Sequence, residues 1–291
     1  YVIAVGDVRG MGASYGYRKA ANDRIEAQDA HELVEWLAAQ PWCDGSVGMF
    51  GGSYHGQTVL EAISTMPPSL NAAYIAITDF NKYDGWSRGG ICRPSAAPVG
   101  NWTDDLITLP VDGDIDTNGD GYPDMLYEAC QEHQYNSPFT GLLDLIPYRD
   151  SYSDISESQY WEEISASNYL DEIAESGVPA YLDGGWYDFL RRDTVMMFTS
   201  GSNSNVERHR WFDYWLKGID NGVMDEPPIY YAVMDTPVAG WPQSREFRYA
   251  WQWPLPNEAQ LTYFLEGGVS GTSPSVNDGT LNLTAPPSMD A

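Results

Sequence analysis

Lysine is almost missing from this chain. Lys19, Lys82 and Lys217 stand among 291 residues, and arginine raises the cationic total only to 15, against 42 aspartates and glutamates, for a net charge of −27. No basic cluster or stripe exists, which excludes the electrostatic footprint of a nucleic-acid-binding protein. Long hydrophobic runs are also missing. Nothing approaches the roughly 20 apolar residues of a spanning helix, so neither nucleic acid nor membrane is an expected partner. Cysteine is scarce: Cys43, Cys92 and Cys130 lack metal-ligand spacing, and an odd number leaves at least one unpaired. Buried thiols are expected, with one disulfide as the alternative. No signal peptide is visible in Tyr1-Val2-Ile3-Ala4-Val5, and an opening inside a strand-like run leads to the expectation of an N-terminus further upstream. What the chain does have is core material. Hydrophobic residues make up 43% and aromatics 13%, enough for one large α/β domain or two smaller ones. The acid excess suits solubility, metal or cationic partners, and high salt.

The first third alternates between two periods. Tyr1–Gly6 reads as a buried strand, followed by a Gly-rich loop over Asp7–Gly16. Ala27, Ala30, Leu33, Val34 and Leu37 recur at helical spacing between Ile25 and Ala39, and Pro41 ends that helix. Ser46–Phe50 reads as a strand, Gly51–Gly56 as a tight turn, Gln57–Met66 as a helix and Ala72–Ile77 as a third strand. Strands and helices alternating at this pitch build βαβ units on a parallel sheet. After Asp79 the pattern breaks into Gly, Pro, Asp, Tyr and Trp, as in an insertion capping the sheet. It resumes with a strand at Val178–Asp183, helices at Arg191–Phe198 and Val206–Gly218, and a strand at Pro228–Met234. From about Ala239 the composition turns to Trp, Pro, Gly, Ser and Thr, with a strand at Gln260–Leu265. The expected domains are therefore 1–79 and 176–238 as the two parts of an α/β core, 80–175 as the cap, and 239–291 as a linker and the start of a β-domain.

Two serines compete as nucleophile. Gly12-Ala13-Ser14-Tyr15-Gly16 matches the G-x-S-x-G string, whereas Gly51-Gly52-Ser53-Tyr54-His55-Gly56 does not. Context favours Ser53. A nucleophile elbow needs a strand running directly into the serine and a helix leaving at once. Val47–Phe50 and the Gln57 helix supply both, and Gly51, Gly52 and Gly56 permit a strained, close crossing. Ser14 lies well after its strand and reads as a loop residue. The N–H of Tyr54, at a helix N-terminus, would face a developing oxyanion. A serine hydroxyl also needs a base oriented by a carboxylate. Asp188 lies beyond the strand tip and Gly184-Gly185, where a triad acid belongs, with Asp183 as runner-up. No histidine takes the base position. His31 reads as a surface residue, His55 is too close to Ser53 in sequence, and His133 lies in the cap. His209 has the right chain order but sits inside a Trp- and Phe-rich helix. Only Thr199–Asn205 separates the two late helices, where a doubly wound sheet needs a further strand.

Asp7-Val8-Arg9-Gly10-Met11-Gly12-Ala13-Ser14, Trp42-Cys43-Asp44-Gly45 with Val47-Gly48-Met49, Gly52-Ser53-Tyr54, Gly184-Gly185-Trp186-Tyr187-Asp188, and Arg210-Trp211-Phe212-Asp213 through Trp215-Leu216-Lys217-Gly218 together resemble the cocaine-esterase / X-Pro dipeptidyl-peptidase family of serine hydrolases. The resemblance implies an α/β-hydrolase core with a doubly wound, mostly parallel sheet, a helical cap and a C-terminal β jelly-roll. It implies Ser53 as nucleophile, Asp188 as triad acid, and an oxyanion hole from the Tyr54 N–H plus a tyrosine hydroxyl upstream of Tyr1. The family's histidine falls in a Gly-Pro-Trp-x-His-like segment that this sequence lacks. The chain is accordingly expected to be a fragment with a stretch absent near Asn205.

Asp116-Thr117-Asn118-Gly119-Asp120-Gly121-Tyr122-Pro123-Asp124 follows the pattern of a calcium loop. Asp116, Asn118, Asp120 and Asp124 offer side-chain oxygens and Tyr122 a carbonyl, while Gly121 makes the sharp turn. Position 12 is Tyr127, so the loop is closer to the short calcium loops of extracellular repeat proteins than to a sensor EF-hand. A structural Ca²⁺, with no cofactor for catalysis, and a secreted or extracellular setting are the expectations. The sequence thus reads as a serine hydrolase cleaving an ester, an amide or a short peptide. The alternative is a non-catalytic calcium-binding or scaffold protein on a degenerate hydrolase fold.

Overall fold

Val47–Gly52 (β1), Leu70–Ala76 (β2) and Ala180–Asp183 (β3) form a parallel sheet in the order β1-β2-β3 in the computed structural model. The structure describes residues 1–87, 90, 115–119, 121–137, 145–185, 188, 204–234, 245–266 and 280–284. β2 is central and covered on both faces, which is why it reads as an almost unbroken apolar run. Ala73 and Ile75 face one layer, packing with Val34 of helix α1 (Arg24–Ala38) and with Val59, Leu60 and Ile63 of helix α2 (Tyr54–Ser64). Ala72 and Tyr74 face the other layer, packing with Trp211 and Phe212 of a late helix, Ser204–Lys217. α1 starts where Asp23 accepts hydrogen bonds from the Ile25 and Glu26 N–H groups, the capping role that short acidic side chains favour.

The cap region is more helical than its composition suggests. It holds α3 (Lys82–Trp86), α4 (Asp124–His133) and α5 (Tyr160–Glu163). A 3₁₀ turn at Ala166–Tyr169 leads into α6 (Leu170–Ser176). Tyr83, Ile146, Tyr160, Trp161 and Ile164 make a second buried cluster there. Ala166 and Ile173 instead join the α1–α2 side of the sheet core. The late helix is α7, followed by the paired strands β4 (Ile229–Met234) and β5 (Arg245–Ala250). The chain divides into two units, Tyr1–Tyr249 and Ala250–Ala291. The second holds an antiparallel pair, β6 (Phe264–Glu266) and β7 (Thr280–Asn282).

Several expectations need correction. Residues 1–8 carry no strand. Tyr1, Val2, Ile3 and Val5 are exposed, and Tyr1 is drawn to α7 instead, its hydroxyl donating to Asp213 at 2.7 Å and its ring lying 3.7 Å from Lys217 Nζ. An apolar run signals a strand only when neighbouring strands and layers bury it. The expected turn over 51–56 is shorter, because β1 continues through Gly52 and α2 begins at Tyr54. The expected strand at 260–265 is the three-residue β6, four positions later. The helix expected at 191–198 lies outside the described residues. Cys43 is a half-buried free thiol and Cys130 a buried one, while Cys92 lies outside the described residues.

Candidate active site

The parallel register sets the geometry of the site. Gly52 pairs with Ala76, and Ala76 with Asp183, so the three strands end in one row at the carboxyl edge of the sheet. Ser53 is the first residue beyond that row. Its φ of 58° and ψ of −121° lie in a region that L residues rarely occupy, at a cost of order 1–3 kcal/mol. The surroundings hold it there. Its N–H donates to the Ala76 and Ile77 carbonyls at 3.0 and 3.1 Å, and its carbonyl accepts from Thr78 Oγ1 at 3.1 Å. Ser53 caps α2 by position, yet its hydroxyl makes no capping hydrogen bond, and the residue is exposed. The crossing is tight on the strand side. A Cβ at Gly51 would meet the His55 carbonyl carbon at 2.4 Å, and one at Gly56 the Ala76 oxygen at 2.9 Å.

Tyr54 is the first residue of α2, so its N–H has no acceptor within the helix and points out of the helix N-terminus beside Ser53. Asp188 lies beyond the tip of β3, half-buried, with its N–H donating to the Gly185 carbonyl at 3.0 Å. Ser53 and Asp188 therefore leave the same edge of the sheet. Asp183, the runner-up, is engaged elsewhere. Its Oδ2 accepts from the Tyr74 hydroxyl at 3.1 Å on the α7 face, and burial raises its carboxyl above the usual range. Ser14 is a loop residue whose hydroxyl donates to the Asp7 carbonyl at 2.7 Å.

The histidines are dispersed. His31 is half-buried rather than on the surface, with Nδ1 3.0 Å from the Thr65 carbonyl. His133 is buried in α4, with Nε2 2.7 Å from the Ser14 carbonyl. His55 is exposed beside the Tyr54 ring, and His209 is exposed on α7 with its ring edge-on to Tyr1. In the Asp116 loop, the Asp116 carboxylate accepts from the Gly119 and Gly121 N–H groups at 2.6 and 2.9 Å, and Asp124 accepts from the Thr117 N–H and hydroxyl. Asp120 lies outside the described residues. Among those that are described, no three His, Cys, Asp or Glu side chains gather as metal ligands.

Sequence reasoning missed the residues beneath Tyr54. Arg18 and Glu26 form an ion pair, 8% and 5% exposed, that grips the Tyr54 hydroxyl. One signal was available. Asp23-Arg24-Ile25-Glu26 has the spacing of a capping box, in which the fourth residue turns back toward the helix start. Glu26 does turn back, accepting from the Asn22 N–H at 3.0 Å.

A parallel sheet covered on both faces, with a strained serine at a strand–helix crossing on its carboxyl edge, defines the α/β-hydrolase class. Residues 1–216 match the X-Pro dipeptidyl-peptidase (S15 family) description, and the chain belongs to that family. It is 24% identical over 337 aligned residues to the cocaine esterase of Rhodococcus sp. (strain MB1 Bresler), covering 98% of this chain and 55% of that protein. Among solved structures, a CocE/NonD family hydrolase from Staphylococcus aureus superposes with a TM-score of 0.65 at 22% identity, covering 95% of this chain and 45% of the other. An aminopeptidase from a marine sediment archaeon of the Thaumarchaeota gives 0.54 at 17% identity, covering 91% and 47%. The chain spans about half the length of the curated relatives it matches. The cocaine-esterase alignment, at 337 positions, is longer than the 291 residues of this chain, so the relative carries internal stretches without a counterpart here.

Proposed function

We propose that the protein is a serine hydrolase that cleaves an ester or an amide through an acyl-enzyme. Ser53 Oγ attacks the carbonyl carbon. The Tyr54 N–H donates to the oxygen as it becomes negative, helped by the positive end of α2. The resemblance places the histidine partner of Asp188 in a stretch that this sequence lacks near Asn205. With that stretch present, Asp188 orients the histidine, which takes the serine proton and returns it to the leaving group, after which water releases the acyl group by the same route. The observation that carries the reading is the backbone of Ser53, strained at φ 58° and exposed at the sheet edge. Strain of this kind persists only where the surroundings enforce it, and it clusters at functional sites. The substrate class we propose is a small ester or amide or a short peptide, the chemistry named by the family and by the cocaine esterase. The Asp116 loop, in this reading, takes a structural Ca²⁺ through oxygen donors, which suits an extracellular setting. Turnover of a p-nitrophenyl ester by the full-length protein, with its histidine-bearing stretch, and by its Ser53→Ala variant tests the central assignment. Loss of turnover is expected, and an unchanged rate would overturn it.

One observation favours a second reading, a non-catalytic protein on a degenerate hydrolase fold. The cocaine esterase carries internal stretches that this chain lacks. Sequencing the gene across the codons for Asn205 and Val206 separates the two. A recovered segment with a histidine supports the hydrolase, and direct continuity supports the degenerate fold.

A further inference from the structure

The residue after Ser53 is anchored from below by a buried ionic pair. Arg18 Nε donates to Glu26 Oε1 at 2.7 Å, and Arg18 Nη2 donates to the Tyr54 hydroxyl. That hydroxyl donates in turn to Glu26 Oε2 at 2.5 Å. The triangle is closed: one cation, one anion, and a phenol that accepts from the first and donates to the second. The two charged corners are fixed from elsewhere. Glu26 Oε2 also accepts the Asn22 N–H, and the Glu26 N–H is held by the N-cap Asp23 at 2.9 Å. Arg18 is held along its backbone by the cap. Its N–H donates to Asn136 Oδ1 at 2.7 Å, and its carbonyl accepts from the Ser137 N–H at 2.9 Å.

Such an arrangement is more than core filling. A buried ion pair adds little net stability over an apolar packing of the same volume, because desolvating both charges offsets their attraction. What it supplies is direction. Charge-assisted hydrogen bonds are short and geometrically demanding, and here both converge on one oxygen. That oxygen ends a rigid side chain whose other end is the backbone N–H beside Ser53. We propose that Arg18 and Glu26 are positioning residues that clamp the Tyr54 hydroxyl and thereby hold the Tyr54 N–H aimed at the oxyanion. The inference rests on the reading of Ser53 as nucleophile and deepens it. The cap reaches the oxyanion donor through Arg18, so the two are mechanically joined.

The test measures how fast a fluorophosphonate probe reacts with Ser53 in the full-length protein, with its histidine-bearing stretch, and in its Tyr54→Phe and Glu26→Gln variants, with Ser53→Ala as the blank. Tyr54→Phe keeps the ring and the N–H and removes only the clamped oxygen. Misplacing a catalytic group by about 1 Å can cost 10²-fold, so the second-order rate constant should fall about 10- to 100-fold. The fraction of protein labelled at completion should match the wild type. With a p-nitrophenyl ester, kcat should fall while KM stays unchanged. A merely structural role would lower the labelled fraction and leave the rate constant alone, and that result would overturn the proposal. So would a wild-type rate constant in Tyr54→Phe. If Tyr54→Phe does not fold, Glu26→Gln, which keeps an acceptor but removes the charge, carries the same expectation. A wild type that never labels defeats the Ser53 reading itself, and the clamp with it, whereas a labelled wild type with an unslowed variant defeats the clamp alone.

Discussion

Replacing Gly51 by alanine puts a methyl group into the backbone of α2. The added Cβ would stand 2.4 Å from the His55 carbonyl carbon and 2.5 Å from its oxygen, where ordinary contact begins at 3.4 Å. The atoms it meets belong to the first turn of a helix and cannot rotate away as a side chain would. Strand and helix must separate by about 1 Å, an overpacking strain at the upper end of the usual range, about 3 kcal/mol. At roughly 2–4 °C per kcal/mol for a domain of this size, Tm should fall by about 6–12 °C. The neighbouring position supplies the control. A Cβ at Gly52 would find Ala76 Cβ at 3.7 Å, an ordinary contact. Removing a glycine's freedom from the unfolded chain favours the folded state by up to about 1 kcal/mol, so Gly52→Ala should leave Tm level or slightly higher. Calorimetric scans of both variants decide the matter. Equal Tm shifts, or a Gly51→Ala protein as stable as wild type, would refute this geometry of the crossing.

Other outcomes follow from other parts of the structure. Glu61 is buried in α2, and its carboxyl is pushed up to about 7 because burial outweighs the attraction of Arg24, 3.0 Å away. Its folded pKa thus lies above its unfolded value of about 4.3, so its contribution to stability is fully present below pH 4 and is lost as pH rises through 7. The Tm difference between Glu61→Gln and wild type should therefore shift in favour of the variant from pH 4.5 to pH 8. A pH-independent difference contradicts this. Trp211, 8% exposed, packs between α7 and the sheet with its ring edge-on to Tyr181 at 5.6 Å. Trp211→Ala should cost about 3–5 kcal/mol in denaturant unfolding, and a loss below 1 kcal/mol would mean that α7 does not cover the sheet as described. Titration calorimetry of the protein should show Ca²⁺ binding that Asp116→Asn weakens, and absence of binding heat removes the calcium proposal.

The parts of this fold that were legible in the sequence are those written in local patterns. β2 reads as a strand because Ala72 to Ile75 are buried on both faces, and α1 reads as a helix because its buried face recurs at helical spacing. Ser53 was legible from context, a strand before and a helix after. The literal G-x-S-x-G string pointed at Ser14, whose hydroxyl is spent on a loop carbonyl. What the sequence hid depends on long-range contacts. Whether Tyr1–Gly6 pairs as a strand is decided by its neighbours, and its apolar pattern cannot reveal them. The clamp on Tyr54 joins residues 8 and 36 positions apart from Arg18, on a loop, a helix and an elbow. No periodicity links those positions; folding alone brings them together.

The most direct test of the account is where a fluorophosphonate attaches. The full-length protein, with its histidine-bearing stretch, is treated with the probe and digested, and the modified peptide is located by mass spectrometry. The adduct is predicted on Ser53 and is predicted to vanish in Ser53→Ala. Modification of Ser14 instead, or none at all, would contradict the assignment of the strained serine at the end of β1 as the nucleophile.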